Sequence, residues 1–457
     1  MKKILFLLVS SLLVTACGNV PQAFTAQVPT SGPIQQGEQV SGSNVDQFIR
    51  VIARPPRSDM TAIEVVQGFL DASASFADDH AVAREYLTRP ASEQWDATSK
   101  VVVYEGAPVF AESGLNVQFD AAQAGAIGPD GRYQVGEPGA EFTTTFRVIS
   151  TDEGLRIDEL PDGLVLSQTD VNRAFRSYSL YFFEPSFEIL VPDSRMIPVV
   201  GPGLATTLVR RLLEGPNEWL RPAVRTGFPD GVDLNIDAVL VDAGVAQVDL
   251  DASAQLADDA SRQALSQQLV WTLKQLPDVQ AVNLTAAGQP LFVPGVANPQ
   301  SRDAWPSVDP SGLDADAAAY VASTIGVRQL VEGGTRPVDG QAGTRDPLLA
   351  NIAIAELGAR IAGIDVEGQT WSGALVPEAS LFSLPAVKEP VGLAFDGVDD
   401  LWIVDLSGNL TLYSPTGRSL PIEVGGLASG DVLRAAIPSR DGTRAALLVE
   451  SGPRTDL

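Results

Sequence analysis

The 457-residue chain holds one cysteine and one histidine. No disulfide can therefore form within it, and no metal site built from several Cys and His ligands is available. Lysine is nearly absent beyond Lys2 and Lys3, so arginine supplies most of the positive charge. Positive charge as a whole is scarce. Against 57 Asp and Glu there are 31 Lys and Arg, and the formal net charge is −26. Such a surface repels phosphate backbones and anionic lipid headgroups, which argues against nucleic-acid binding and against adsorption to membranes by charge. The acids are spread along the chain rather than gathered in a tail, and their role is read as solubility. Beyond the amino terminus no stretch approaches the ~20 apolar residues that span a bilayer. Missing too are a Gly-x-Ser-x-Gly elbow, a Ser-x-x-Lys pair, a His-Glu-x-x-His helix and a P-loop. With no nucleophile–base motif, the chain is read as non-catalytic, without cofactor, metal site or catalytic residue.

What is present begins at the amino terminus. Lys2 and Lys3 precede an apolar run, Ile4 to Val14, broken only by Ser10 and Ser11. The run is about half of a membrane span, and residues 1–16 read as a secretory signal peptide. Val14-Thr15-Ala16-Cys17 resembles the bacterial lipobox. That resemblance implies diacylglycerol on the Cys17 thiol, cleavage before it and acylation of the new amino group. It places the protein at the outer face of the cytoplasmic membrane, held by more than one acyl chain. Residues 17–56 are rich in Gly, Pro, Ser and Gln and lack apolar periodicity. They read as a flexible tether with an r.m.s. reach of roughly 35 Å.

At ~150 residues per domain the length suggests two to four domains. In 57–177, Ser58 or Asp59 can cap a helix whose apolar face is Ile63, Val66, Phe69, Leu70, Ala74 and Ala77. A second short helix opens at Asp78-Asp79, and His80 at its polar start is expected to be solvated. After Pro90 the period becomes two, with strands at 101–104, 115–119, 141–148 and 156–160. Helices followed by a curved sheet give an α+β domain that resembles the nuclear transport factor 2 (NTF2-like) cone.

In 178–295, strands at 179–183 and 188–192 precede a stripe of Leu204, Leu208, Val209, Leu212 and Leu213. The stripe stops at Gly215-Pro216, a sharp helix stop. A strand at 232–236 is expected. Asp242-Ala243-Gly244 joins two further strands as a hairpin, a helix covers 261–276, and strands at 279–284 and 290–292 finish an α/β unit. The order Tyr181-Phe182-Phe183, Leu212-Leu213-Glu214-Gly215-Pro216, the run Val245 to Asp251 and Val270-Trp271-Thr272-Leu273 resembles the GerMN domain. That resemblance implies a domain of extracytoplasmic lipoproteins that is not known as an enzyme. Asp249, Asp251 and Ser253 have calcium-loop spacing, but Ala254 and Ala260 stand where such a loop needs glycine and glutamate. Asn283 and Asn409 fit the glycosylation pattern and are read as strand residues.

Residues 296–310 are rich in Pro, Ser and Asp and read as a linker open to protease after about Pro299. Beyond them, in 311–457, short strands recur at even spacing. Val391 to Val404 and Pro438 to Leu447 look like β-propeller blades. At roughly 40 residues per blade only three or four blades fit, so an incomplete propeller is expected. Lipobox, helix-plus-sheet domain, GerMN domain and propeller, in that order, resemble the LpqB family of actinobacterial lipoproteins. The resemblance implies an accessory of the MtrA–MtrB two-component system. Its expected partner is the extracytoplasmic domain of the sensor histidine kinase, and its expected field is envelope and division control. The alternatives from other classes are an envelope scaffold binding cell-wall components and a propeller hydrolase.

Overall fold

The computed structural model describes residues 53–199, 203–311, 318–355, 358–385, 387–452 and 454–456. Cys17, the segment read as a signal peptide and most of the segment read as a tether lie outside the described residues. The architecture is multidomain, mixed α+β and all-β.

The first helix, α1 (Ala62–Ser73), is capped by Thr61 rather than by Ser58 or Asp59. Only Thr61 has a carboxylate three residues on. Glu64 accepts from the Thr61 amide at 2.7 Å while the Thr61 hydroxyl accepts from the Glu64 amide at 3.3 Å, a reciprocal capping box. Two short helices follow, α2 (Ala81–Arg84) and α3 (Arg89–Gln94). The sheet is built from β1 (Val101–Ser113), β2 (Asn116–Ile127), β3 (Tyr133–Val135), β4 (Glu141–Thr151), β5 (Gly154–Glu159) and β6 (Leu164–Ser167). Its order is β5-β4-β2-β1-β6, with β3 beside β2. All pairings are antiparallel except β1 with β6. Register shifts in β1–β2 and β4–β5 bend it over α1. Val65, Val66, Phe69, Phe119, Phe146 and Ile157 fill the space between.

After α4 (Gln168–Ala174), β7 (Phe175–Phe183) runs antiparallel to β8 (Leu190–Pro198). The expected boundary at 177/178 falls inside β7. Phe175 packs in the first core and Leu180 and Phe182 in the second, so one unbroken strand joins the two cores. The leucine stripe is α5 (Leu204–Leu213), ending one residue after Leu213 at Glu214, just before left-handed Gly215. The hairpin through Ala243-Gly244 links β9 (Leu240–Asp242) to β10 (Val245–Leu250), and α6 (Asp259–Leu273) crosses over to β11 (Ala281–Ala286), parallel to β10. β12 (Gln289–Pro290) and β13 (Gln300–Ser301) both pair with β11. The strand expected at 232–236 is a single bridge, Leu234 to Leu250. Ile236 and the residues beside it are too exposed to gain from a longer ladder. Leu208 has no exposed surface in this core. Leu208→Ala is expected to cost about 2–5 kcal/mol, read as a lower urea midpoint at unchanged slope.

The segment read as a linker, 296–310, is packed on the second core. The Asn298 side chain pairs with both backbone groups of Leu284, at 3.0 and 2.8 Å. The Arg302 amide donates to Gln280 O, and Trp271 Nε1 donates to Trp305 O at 3.1 Å. Val308 is buried beside Phe183 and Trp271. Polar composition concealed this anchoring, because Asn298 counts as polar by type and the other hydrogen bonds run through the backbone of Arg302 and Trp305.

Beyond it stand four antiparallel sheets among the described residues. They are β14 (Tyr320–Ser323), β15 (Gly326–Val331) and β16 (Gly334–Pro337); then β17 (Leu349–Ile354), β18 (Arg360–Asp365), β19 (Thr370–Ala374) and β20 (Phe382–Ser383). Next come β21 (Pro390–Phe395), β22 (Leu401–Asp405), β23 (Leu410–Tyr413) and β24 (Ser419–Ile422), followed by β25 (Asp431–Pro438), β26 (Ala445–Ser451) and β27 (Arg454–Asp456). The first strands of successive sheets abut: β14 with β17, β17 with β21, β21 with β25. A shared device pins the turns. Asp365 accepts from two turn amides, of Glu367 and Gln369, and from Trp371 Nε1 at 2.7 Å. Asp396 does the same with Val398, Asp400 and, at 3.0 Å, Trp402 Nε1.

Candidate functional site

A buried polar cluster lies on β8, at the joint between the two modules. Alternation along a strand puts Val191, Asp193, Arg195 and Ile197 on one face, and all four are buried. Asp193 and Arg195 pair at 2.6 Å with side-chain exposures of only 1% and 3%. Asn217, just past the Gly215-Pro216 stop, donates its side-chain amide at 2.6 Å and its backbone amide at 3.0 Å to the Asp193 carboxylate. Arg195 also donates to the carbonyls of Gly215 and of Asp130. Asp130 belongs to the Pro129-Asp130-Gly131 turn of the first sheet. That turn seats directly on β8, because the Met196 amide donates to Gly131 O at 2.7 Å. Gly131 has φ +81° and lies 3.3 Å, measured from where a Cβ would stand, from the Arg195 side chain, so both its backbone and the close approach favour glycine. Alongside, Arg132 lies over the exposed Trp219 ring at 5.2 Å.

The last sheet reaches the same strand from elsewhere. Arg444, held by Asp441 at 2.9 Å, donates to Pro192 O at 3.1 Å. Burial works to raise the Asp441 carboxyl, but hydrogen bonds from Thr443, Ser439 and Arg444 outweigh it and hold the group below its usual range. Asp193, Asn217 and Arg444 were not singled out in the sequence. The signal for the first was there: an acid and a base two apart, on the apolar face of a strand.

His80 is not solvated. The chain turns through three left-handed residues, Asp78, Asp79 and His80. The imidazole, 6% exposed, sits 4.8 Å from the Phe76 ring and 5.9 Å from Trp95. Burial pushes its pKa below the ordinary 6.5, while Asp79 pulls the other way and Arg84, which stacks on Trp95, pushes with burial. The unfolded chain then binds a proton the folded chain resists. Stability is full above pH ~6.5 and falls as pH drops through that value, by at most about 1.4 kcal/mol per pH unit. Urea midpoints between pH 5 and 8 are expected to show this slope in the parent and not in His80→Asn. Equal slopes would assign the effect to other groups.

Asp249 and Asp251 act in local structure. Asp249 accepts from Asn235, Thr285 and the Gly288 amide; Asp251 caps the turn at Ser253 and accepts from the Asp233 amide. Asn283 lies in β11 bonded to Gln247, and Asn409 is bonded to Asp405 just before β23. Among the described residues no group of three or more His, Cys, Asp or Glu converges, and no helix is long and apolar enough to cross a membrane.

Two family models match the chain. One described as "Lipoprotein LpqB, N-terminal domain" covers residues 55–172, and one described as "Sporulation and spore germination" covers 179–292. Lipoprotein LpqB of Thermobifida fusca is 33% identical over 87% of this chain and 66% of its own length. Lipoprotein LpqB of Mycolicibacterium smegmatis is 28% identical over 100% of this chain and 76% of its own. Among solved structures, the first GerMN domain of the sporulation protein GerM from Bacillus subtilis is 21% identical, covering 28% of this chain and 98% of that one, at a TM-score of 0.24. An α+β module fused through β7 to a GerMN-like module, followed by a series of antiparallel sheets, defines a multidomain protein of mixed α+β and all-β architecture. The chain belongs to the LpqB family of actinobacterial lipoproteins. It spans about two thirds of the length of the Thermobifida relative.

Proposed function

We propose that the protein is anchored by lipid on Cys17 at the outer face of the cytoplasmic membrane. It acts there without catalysis, binding the extracytoplasmic domain of a sensor histidine kinase of the MtrA–MtrB type and adjusting its output in envelope and division control. The observation that carries this reading is the family match over 87% of the chain; the kinase is inferred from the family resemblance alone. Three features support it. The β8 joint ties the first module, the second and the last sheet together, giving a wide surface held in fixed geometry. The expected tether keeps that surface within reach of membrane partners and raises its effective concentration toward them. A net charge of −26 favours a partner with a basic face. Within this reading the first sheet and its helices form an NTF2-like cone. The four last sheets are propeller blades, a view supported by the abutting of their first strands.

The test is co-purification of the detergent-solubilised lipoprotein with the isolated extracytoplasmic kinase domain. A complex is expected at low ionic strength, weakening as salt rises past the screening range. No complex at low salt, together with unchanged kinase output in a deletion strain, would leave the scaffold reading in its place.

A further inference from the structure

A cavity of about 550 Å³ opens on the first module, away from the β8 joint, between the strap that enters α1, the helix itself and α4. That volume suits a small molecule. Its floor is built on purpose-fitted geometry. A Cβ on Gly68 would stand 2.6 Å from the Tyr86 ring, so glycine is what lets the ring lie this close to α1. The Tyr86 hydroxyl then donates to Arg54 O at 2.9 Å and fixes the strap as the opposite wall.

The charges on the wall are unevenly satisfied. Asp170 accepts from the Ser167 hydroxyl and from Arg173. Asp71 has neither a hydrogen-bond donor nor a cation beside it among the described residues, and burial first, then the Asp170 charge, pushes its pKa up. The Arg54 guanidinium likewise has no anion among the described residues. Arg173 keeps a solvent-shielded Nε–H with no acceptor among them. Asp71 and Arg54 both stand exposed on the wall, so a ligand with a cationic and an anionic end would find an unpaired charge of opposite sign for each.

We propose that this cavity binds a small zwitterion, with its ammonium against Asp71 and its carboxylate against Arg54. The chemistry is that of a free amino acid or a short peptide with open termini. The proposal is independent of the kinase reading.

Calorimetry on the full chain in detergent micelles tests it, with alanylalanine as the probe. Binding is expected, weakened tenfold or more when the dipeptide is N-acetylated and again when it is C-amidated. Asp71→Asn should erase the preference for the free amine and keep that for the free carboxylate. Arg54→Gln should weaken the preference for the free carboxylate and leave that for the amine. The blocked dipeptides probe the unaltered protein, so the result does not depend on either variant folding. No heat with alanylalanine at millimolar concentration, or binding blind to both blocked ends, would overturn the proposal.

Discussion

Arg195→Met is expected to lower stability by about 3–5 kcal/mol, the cost of breaking a buried pair from one side. Methionine keeps most of the packing of the arginine stem, so the loss isolates the charge. It leaves Asp193 inside the protein with Asn217 as its remaining side-chain partner and takes the donor from Asp130 O. Two further outcomes separate this from an ordinary core defect. The Met196 amide, bonded to Gly131 O across the two modules, should lose hydrogen-exchange protection, because the turn it seats on is no longer clamped. The double variant Asp193→Leu with Arg195→Met should cost much less than the sum of the singles, since apolar residues in place of a buried pair are often close to neutral. A loss below about 1 kcal/mol would put the pair on the level of an exposed ion pair and refute its place at the joint.

Why this joint escaped the sequence reading, when so much around it did not, follows from what periodicity can carry. The α5 stripe was legible because Leu208, Val209 and Leu212 all face one core and Gly215 ends the helix by its own φ of +94°. The hairpin at Ala243-Gly244 was legible because two left-handed residues in succession demand small or flexible side chains there. The even spacing of short strands beyond 311 was legible because in strands such as β22 the buried positions are apolar. Two of the strands passed over, β16 and β24, are of another kind. β16 is exposed throughout and β24 nearly so, and an exposed outer strand has no apolar face to alternate. What marks those sheets is the turn chemistry, an Asp six residues before a Trp at 365/371 and again at 396/402, a repeat visible in the sequence but meaningless until the indole is seen to reach back to the carboxylate. His80 misled for a related reason. Its neighbours Asp78 and Asp79 made the segment look polar, whereas the left-handed backbone turns the imidazole inward and leaves the acids outside. Charges that are buried and paired, such as Asp193 and Arg195, look like surface to any scale that counts residue types singly.

Cys17→Ser is expected to remove the acyl mass from the amino-terminal peptide and to leave the protein either uncleaved at its signal or released from the membrane. The reasoning is one of competing magnitudes. Each acyl methylene moved from water into lipid contributes about 0.8 kcal/mol, so two or three chains hold a protein on a bilayer essentially permanently, whereas one holds it only marginally. Nothing else in the described chain competes with that. No described helix is long and apolar enough to span, and a net charge of −26 makes adsorption to an anionic leaflet unfavourable. The Ile4–Val14 run, about half a span, cannot replace the lipid even if retained. Mass spectrometry of the mature amino terminus and detergent-phase partitioning read the two consequences separately. An acyl-modified peptide in the parent that begins at a residue other than Cys17, or partitioning unchanged in the serine variant, would show that the anchor lies elsewhere.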